Sequence, residues 1–463
     1  MKDAKKLSEE LSYKKKTVYE AKDEAHINAA YDFSRGYAAF LDAAKTEREA
    51  VKTSVALAEK DGFKSYSFGD KLERGGKYYY DNRGKNLFLF TIGSEPLSEG
   101  VRISAAHIDS PRLDLKQCPL YEEDGMSFFK THYYGGIRKY QWVATPLALH
   151  GVVVKKDGSR VDVCVGEDDG DPVFYINDLL PHLGHEDDKK PLGDAIPGEK
   201  LNVLIGSRPF DPAFEGDSIK LNVLALLHEK YGITEHDFLS AELSVVPAFK
   251  ARDIGFDRSL IGSYGHDDRV CAYPALEAIF AGADSRHTLI CVLADKEEIG
   301  SEGTTGMKSD LLLDLINEIS AAFGADPAVV RAHSKCLSAD VSAAYDPNFS
   351  GAFEKRNSCL LSCGVVLTKY TGARGKSGTN DANAEYIGWL RAVMEKAGVI
   401  WQTGELGKVD GGGGGTVAKF IAEHNIETVD LGVPVISMHA PFEVISKVDL
   451  YEAYLAFAAF NRD

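Results

Sequence analysis

Residues 289–301 have the sequence Leu289-Ile290-Cys291-Val292-Leu293-Ala294-Asp295-Lys296-Glu297-Glu298-Ile299-Gly300-Ser301, in which a short apolar run ends close to two adjacent carboxylates. A run of this kind is typical of a buried strand, and open α/β sheets bind ligands at the carboxyl ends of their strands. Neighbouring like charges repel and burial makes each more costly, so a buried Glu297-Glu298 pair needs a counter-charge such as a cation. In isolation, the pair fits a solvated acidic turn better.

A histidine and an aspartate follow a second alternating stretch. Val101, Ile103 and Ala105 lead to His107 and Asp109. Residues two apart in a strand face the same side, so these two side chains are predicted to point together. Asp109 could then fix the imidazole tautomer while the other ring nitrogen binds a metal. A core histidine satisfied by a carboxylate gives the same pattern, so the strand-end position is what favours a site.

Three further segments carry acids or histidines, and each has an ordinary explanation. Asp267 or Asp268 can cap the helical-looking segment 270–281. Asp340 can be a turn residue, and His439 can be a packed core histidine. The segments are Gly265-His266-Asp267-Asp268-Arg269, Ser338-Ala339-Asp340-Val341 and Val433-Pro434-Val435-Ile436-Ser437-Met438-His439-Ala440-Pro441. Their joint occurrence favours one shared site.

This ordered series resembles the M18 family of metallo-aminopeptidases, which includes aspartyl aminopeptidase and vacuolar aminopeptidase I. The likeness covers nearly the whole chain. It implies an α/β fold, with a mostly parallel sheet sandwiched by helices and an inserted β-rich dimerisation domain. It also implies two divalent metal ions per subunit, and the resemblance assigns their ligands as His107, Asp267 and Asp340 for one ion and Asp267, Glu298 and His439 for the other.

The resemblance makes Glu297 the general base and Asp109 the residue that orients the histidine ligand. Paired metals about 3.5 to 4 Å apart activate a bridging water as nucleophile and stabilise the tetrahedral oxyanion. Glu297 would take the proton of that water and return it to the leaving amine. Two histidines among several carboxylates suit Zn²⁺ best, with Mn²⁺ or Co²⁺ as alternatives. The expected activity is removal of the N-terminal residue from peptides.

Two other functions remain open at this point. A related dinuclear-metal amidohydrolase, such as a deacylase or carboxypeptidase, would use the same metals on another amide. A catalytically silent assembly protein would keep the fold, but it has no chemical need for Glu297. The chain lacks His-Glu-x-x-His and Gly-x-Ser-x-Gly, so a thermolysin-type helix and a nucleophile elbow are not indicated.

Substrate contacts are predicted in two glycine-rich stretches. The run 411–415 lacks the ending of a phosphate loop, and the resemblance places Gly414, Gly415 and Thr416 in the substrate cleft. A flexible loop is the alternative. A pocket for an acidic N-terminal residue needs a cation, and the candidates are Lys369, Arg374 and Lys376. Solvated basic side chains in a loop would look the same, so the sequence leaves the preference between acidic and neutral residues open.

Composition limits the partners and the compartment. The 463 residues carry 53 Lys plus Arg against 70 Asp plus Glu, a net charge of −17, which disfavours nucleic acid and anionic membranes. The seven cysteines are odd in number and form no Cys-x-x-Cys, which indicates reduced thiols in a cytoplasmic protein. The N-terminal residues 1–6 lead into a polar helical pattern without the apolar core of a signal peptide. No stretch approaches the ~20 apolar residues of a membrane span.

The chain is long enough for two domains. Residues 1–116 and 249–463 are predicted to form a discontinuous catalytic domain, and residues 117–248 an inserted β-rich domain for dimerisation. Alternating valines in 152–154 and 161–165 predict a β-hairpin in the insert. The resemblance implies a homo-oligomer, built from dimers and often a dodecamer, in which His182, or alternatively His185, enters the active site of the neighbouring subunit. Where family members often carry Trp-Phe-Asp-Arg-Asp, this chain has Trp142-Val143-Ala144-Thr145-Pro146, which removes those charges from the assembly region.

Overall fold

The structure is a computed structural model that describes residues 4–282 and 284–463. Residues 1–3, where the N-terminal pattern begins, and residue 283 of the predicted catalytic domain therefore lie outside the described part. Its helices are α1 (Ala4–Leu11), α2 (Val18–Ala21), α3 (Glu24–Ala43), α4 (Glu47–Lys60), α5 (Leu192–Ala195), α6 (Ser218–Tyr231), α7 (His266–Phe280), α8 (Leu311–Ala322), α9 (Pro327–His333), α10 (Ala384–Lys396), α11 (Ala418–Ala422) and α12 (Lys447–Arg462).

Its strands are β1 (Lys64–Ser65), β2 (Lys77–Asn82), β3 (Asn86–Thr91), β4 (Arg102–His107), β5 (Arg112–Glu123), β6 (Met126–Tyr134), β7 (Leu147–Val154), β8 (Arg160–Val165), β9 (Tyr175–Ile176), β10 (Val203–Gly206), β11 (Ala241–Pro247), β12 (Arg252–Ile254), β13 (Leu260–Ser263), β14 (Leu289–Ala294), β15 (Lys335–Ser338), β16 (Ser342–Ala343), β17 (Val365–Thr368), β18 (Trp401–Thr403), β19 (Glu427–Gly432), β20 (Pro434–Ile436) and β21 (Glu443–Ser446).

A nine-stranded sheet has the order β1-β2-β3-β14-β4-β15-β19-β17-β18 within the described residues. Its central strands β14, β4, β15 and β19 run parallel, while antiparallel pairs occur on either side of them. Strands β4 and β14 are buried along their whole length, as expected for a parallel sheet covered on both faces. The α/β fold with a mostly parallel sheet is therefore confirmed.

Helices cover both faces of this sheet because successive strand side chains point to opposite sides. Cys291 of β14 packs in the cluster that contains Val51 of α4 and Phe457 of α12. Its neighbour Val292 packs in the opposite cluster with Ile316 of α8. The sheet is thus enclosed by two hydrophobic layers.

Residues 112–247 form a second, seven-stranded sheet of order β8-β7-β11-β5-β6-β10-β9, in which every pairing is antiparallel. It has its own core around Trp142, Leu149 and Val245. The predicted hairpin is present as the β7–β8 pair, and β5 begins at Arg112, before the predicted boundary at residue 117. A small third sheet has the order β12-β13-β21-β20-β16. Its strand β13 ends just before α7 begins, and its strand β20 leads to His439.

The parallel strands bring distant segments to one edge of the sheet. His107 ends β4 and pairs in register with Ala294, the last residue of β14, while β15 ends two residues before Asp340. The carboxyl ends of parallel strands share an edge, so these side chains gather there. None of the helices in the described parts of the chain combines the length and hydropathy of a membrane span, and all seven cysteines are free thiols.

Candidate metal centre

Asp267 lies between the two histidines of the site. Its Oδ1 is 3.1 Å from His107 Nε2, and its Oδ2 is 3.1 Å from His439 Nε2. The residue is almost fully buried at the start of α7, and Oδ1 has no hydrogen-bond partner among the described residues. One carboxylate therefore spans the gap between two imidazoles, which is the geometry that a bridging ligand requires.

His107 is oriented by the residue two positions later. Its Nδ1 donates to the backbone oxygen of Asp109 at 3.0 Å and lies 3.4 Å from the Asp109 carboxylate, which leaves Nε2 facing the site. The Asp109 carboxylate in turn accepts from the backbone N–H groups of Glu297 and Glu298 at 3.1 and 3.2 Å. Tyr134 donates its hydroxyl to the same carboxylate at 2.8 Å. Asp109 thus couples the histidine to the glutamate pair.

The two glutamates belong to a short 3-10 helix that follows β14. Glu298 Oε1 is buried, lacks a hydrogen-bond partner in the described chain and lies 3.5 Å from His439 Nε2. Glu297 faces the other histidine, with Oε2 4.0 Å from His107 Nε2. The two glutamates therefore face different histidines: Glu298 approaches His439, and Glu297 approaches His107.

Glu443 of β21 holds the backbone of two proposed ligands. Its Oε1 accepts from the N–H of His439 at 2.7 Å and its Oε2 from the N–H of Asp267 at 3.0 Å. His439 has a φ of 66°, in the left-handed region, and its Nδ1 donates to the backbone oxygen of Gly136 at 2.8 Å. These bonds fix the ring with Nε2 towards Asp267.

Burial and crowding of like charges dominate the electrostatics. Burial raises the pKa of Glu297 to about 7, opposed by His107 and reinforced by Asp109. The pKa values of Glu298 and Asp340 also lie well above their usual range, because of burial and then of neighbouring carboxylates. Burial would raise the pKa of Asp267 too, but the two imidazoles hold it below its usual range. A cation in the site would relieve this repulsion.

The donor set fits divalent cations. Ligand atoms lie within 4.8 Å of one another in three groups: His107, Glu297 and Asp340; His107, Asp267 and Glu298; and Asp267, Asp268 and Asp340. Asp267, Glu297 and Glu298 form their ion pairs in the described chain with the two histidines. The buried Oδ1 of Asp267 and Oε1 of Glu298, which form no hydrogen bond within the described chain, are the donors that a metal ion would satisfy. The structure thus brings together all five predicted ligands and Glu297.

A cavity of about 480 Å³ opens beside these residues. Gly414, Gly415 and Thr416, which the resemblance places in the substrate cleft, line this cavity. Its lysines are Lys308 and Lys419, which the sequence analysis did not single out.

The predicted specificity cations lie elsewhere. Lys376 donates to Asp381 at 2.8 Å, and Lys369 donates to the same carboxylate. Lys376 and Arg374 line a neighbouring cavity. His182 and His185 are both exposed and line neither cavity within the single chain. These five residues are therefore not brought to the centre by one chain.

Sequence reasoning missed Tyr134, Glu443 and the carbonyl of Gly136. Glu443 offered one signal, because it follows His439 by four residues in Met438-His439-Ala440-Pro441-Phe442-Glu443. Tyr134 lies at the end of β6, 25 residues from Asp109, and nothing in its surroundings marks it.

Metal-dependent peptidases are the class of protein that this fold and this site define, since the carboxyl edge of the sheet collects imidazole and carboxylate donors beside an open cleft. The family model described as "Aminopeptidase I zinc metalloprotease (M18)" matches residues 40–461. The chain belongs to the M18 family and is a metallo-aminopeptidase.

Relatives match over almost their whole length. A probable M18 family aminopeptidase 1 of Clostridium acetobutylicum is 49% identical over 453 residues, covering 96% of this chain and 97% of the relative. The crystal structure of an M18 aminopeptidase from Thermotoga maritima superposes with a TM-score of 0.92 at 42% identity, covering 97% of this chain and 100% of that one. Aminopeptidase I of Clostridium acetobutylicum gives a TM-score of 0.92 at 46% identity, covering 98% and 100%.

Proposed function

We propose that the chain removes the N-terminal residue of peptides by a two-metal mechanism in which Glu297 is the general base. The proposed ligands are His107, Asp267 and Asp340 for one ion and Asp267, Glu298 and His439 for the other. The observation that carries this proposal is the position of Asp267, whose two oxygens each lie 3.1 Å from a different imidazole.

The chain belongs to a family of zinc metalloproteases, and we therefore propose zinc for both positions, with Mn²⁺ or Co²⁺ as replacements. When bound, they supply Lewis acidity and lower the pKa of water to about 7. The remaining steps depend on residues of the chain.

Glu297 is held for proton transfer. Its backbone N–H is tied to Asp109, and its carboxylate lies in the same donor group as His107 and Asp340. Glu297 takes the proton of the attacking water and delivers it to the leaving amine nitrogen. Asp109 acts as a positioning residue, since it contacts both His107 and the glutamate backbone.

Gly415 and Thr416 are proposed to contact the substrate along the cavity wall. His182 is proposed to reach the cavity of a neighbouring subunit. Leu179, Leu180 and Leu183 around it are 48%, 48% and 68% exposed, as expected of a segment that meets another chain. The role of Lys376 in holding an acidic side chain would require it to leave Asp381.

The sheet of the insert 117–248 has a core of its own, which supports a separate domain. We propose that this domain pairs subunits, as the family resemblance implies. We propose a homo-oligomer and, as its size, a dodecamer, because the mApe1 structure of S. cerevisiae, which shares the fold at 22% identity with a TM-score of 0.76, was solved as a dodecamer. The seven free thiols support the cytoplasm as the location.

The test compares aminoacyl p-nitroanilides with their N-acetylated counterparts, using wild-type enzyme, Glu297→Gln and Glu297→Asp. The wild type should cleave only substrates with a free α-amine. Glu297→Gln should lose roughly 10²- to 10⁴-fold in kcat while keeping its zinc, because it cannot accept a proton. Glu297→Asp should retain more activity than the glutamine variant. Wild-type kcat in Glu297→Gln, or cleavage limited to acylated substrates, would disprove the proposal.

A further inference from the structure

A second group of metal-ligating side chains lies where α4 contacts the seven-stranded sheet. We propose that Glu49, His150 and Cys164 bind a further divalent cation of intermediate softness, of the Zn²⁺ type. One ligand atom from each residue lies within 4.8 Å of the others. A thiolate, an imidazole and a carboxylate are the three protein ligand types of zinc.

The strand register aligns two of the three donors. His150 of β7 pairs directly with Cys164 of β8. Residues opposite each other in an antiparallel pair lie on the same face, with Cβ atoms roughly 4.5 to 5.5 Å apart. The strand pairing therefore places the imidazole of His150 next to the thiol of Cys164.

Glu49 supplies the third donor from α4. Its Oε2 accepts from the backbone N–H and the hydroxyl of Thr46 at 3.0 and 3.2 Å, as part of the capping box of this helix. These two bonds leave Oε1 free to lie 2.7 Å from His150 Nδ1. The carboxylate is thus already aimed at the imidazole and needs little reorganisation to share an ion with it.

The other face of the histidine is occupied. His150 Nε2 lies 3.0 Å from Glu167 Oε1, and Lys45 Nζ donates to the same oxygen at 2.6 Å. Lys45 also donates to the backbone oxygen of Pro247 at 2.8 Å. A carboxylate on the second ring nitrogen is the usual arrangement behind a metal-bound histidine, because it fixes the ring and raises its basicity. The ion would bind at Nδ1.

A cavity of about 380 Å³ lined by Glu49 and Cys164 gives access to the site. Cys164 is exposed, whereas His150 is buried. An entering ion can therefore keep a water molecule on the cavity side as its fourth ligand.

The nearby basic side chains are already paired. Arg48 forms an ion pair with Glu242, and Lys52 and Arg160 with Asp162. Binding replaces the proton on His150 Nδ1 and the proton of the Cys164 thiol, and both go to solvent. The negative charges of Glu49 and the thiolate then balance the two positive charges of the ion.

The thiolate distinguishes this site from the catalytic centre, whose donors are imidazoles and carboxylates. The metal-free enzyme is titrated with Co²⁺ and followed in the near ultraviolet, where a cobalt-bound thiolate gives a charge-transfer band. Bound cobalt is then counted by elemental analysis. Cys164→Ser is compared with Cys118→Ser, which changes the other exposed cysteine.

The wild type and Cys118→Ser should show the band, and Cys164→Ser should lack it and bind one cobalt fewer per subunit. A wild type without the band would overturn the proposal, as would a Cys164→Ser variant that keeps the band or the full cobalt count. The result does not depend on peptide hydrolysis, so it can be interpreted whether or not Glu297 is the base.

Discussion

Glu443→Gln tests whether the backbone of the site is held in place for the metal ligands. Glu443 is 2% exposed, and its two oxygens each accept one backbone N–H, from His439 and from Asp267. A glutamine side chain has almost the same shape but only one acceptor oxygen. One of the two N–H groups would then face an amide N–H₂ group, so two donors would oppose each other.

The size of the effect follows from the lost bond. Burial raises the pKa of Glu443 to about 8, so the value for an uncharged hydrogen bond applies, about 0.5 to 1.5 kcal/mol, and a buried donor left without a partner costs about 1 to 3 kcal/mol. The N–H groups belong to two proposed metal ligands, so much of this energy should appear as weaker metal binding. We expect a loss of roughly 10- to 100-fold in zinc affinity, the range found when groups that support metal ligands are removed. That loss equals about 1.4 to 2.7 kcal/mol.

The assay measures zinc affinity by competition with a chromogenic chelator, and kcat at limiting and at saturating zinc. Activity of Glu443→Gln should be low at limiting zinc and should recover with excess zinc. Glu452→Gln is the matched control, because Glu452 is also fully buried and accepts the N–H of Ile400 at 2.8 Å, outside the centre. It should lose stability but keep zinc affinity. Wild-type affinity in Glu443→Gln, or an equal loss in Glu452→Gln, would refute the reasoning.

Asp267→Asn should lower the zinc content per subunit in elemental analysis, because the amide cannot offer two anionic oxygens to two ions, whereas Asp268→Asn should lower it less; the reverse order would make Asp268 the bridge. Tyr134→Phe removes the hydroxyl that donates to Asp109 at 2.8 Å. At about 1 kcal/mol for one hydrogen bond, kcat should fall about fivefold in steady-state assays, and an unchanged kcat would show that Asp109 needs no such support. Burial raises the pKa of Glu277 in α7, opposed by Tyr273. A carboxyl group with a raised folded-state pKa stabilises the protein below its unfolded-state pKa, and that contribution is lost as pH rises through the folded-state pKa. In urea unfolding, the stability of Glu277→Gln relative to the wild type should therefore rise as the pH is raised above the unfolded-state pKa of about 4.3, and a difference that stays constant with pH would argue against the raised pKa.

Local pattern predicted the elements that carry the site. The apolar run 289–294 is β14, and the alternating stretch that ends at His107 is β4. The first was predictable because a strand buried on both faces of a parallel sheet is continuously apolar, and the second because apolar residues at every other position indicate a strand. The position of a site at the carboxyl edge followed from these elements alone.

Contacts between distant segments could not be predicted in this way. Tyr134 reaches Asp109 only because β5 and β6 fold back as a hairpin, and the carbonyl of Gly136 meets His439 across 303 residues. Lys376 was selected for its charge and approximate location, but charge does not fix direction, and Asp381 lies close enough to pair with it. Lys419 lines the cavity from α11, and its local sequence gave no sign that its side chain faces the site.

The most direct measurement is anomalous diffraction at the zinc absorption edge from crystals of the zinc-loaded enzyme. The account predicts two anomalous peaks in each active site, both in contact with Asp267, one next to His107 and Asp340 and the other next to Glu298 and His439. A single peak in the active site, or peaks that do not touch Asp267, would contradict the two-metal centre.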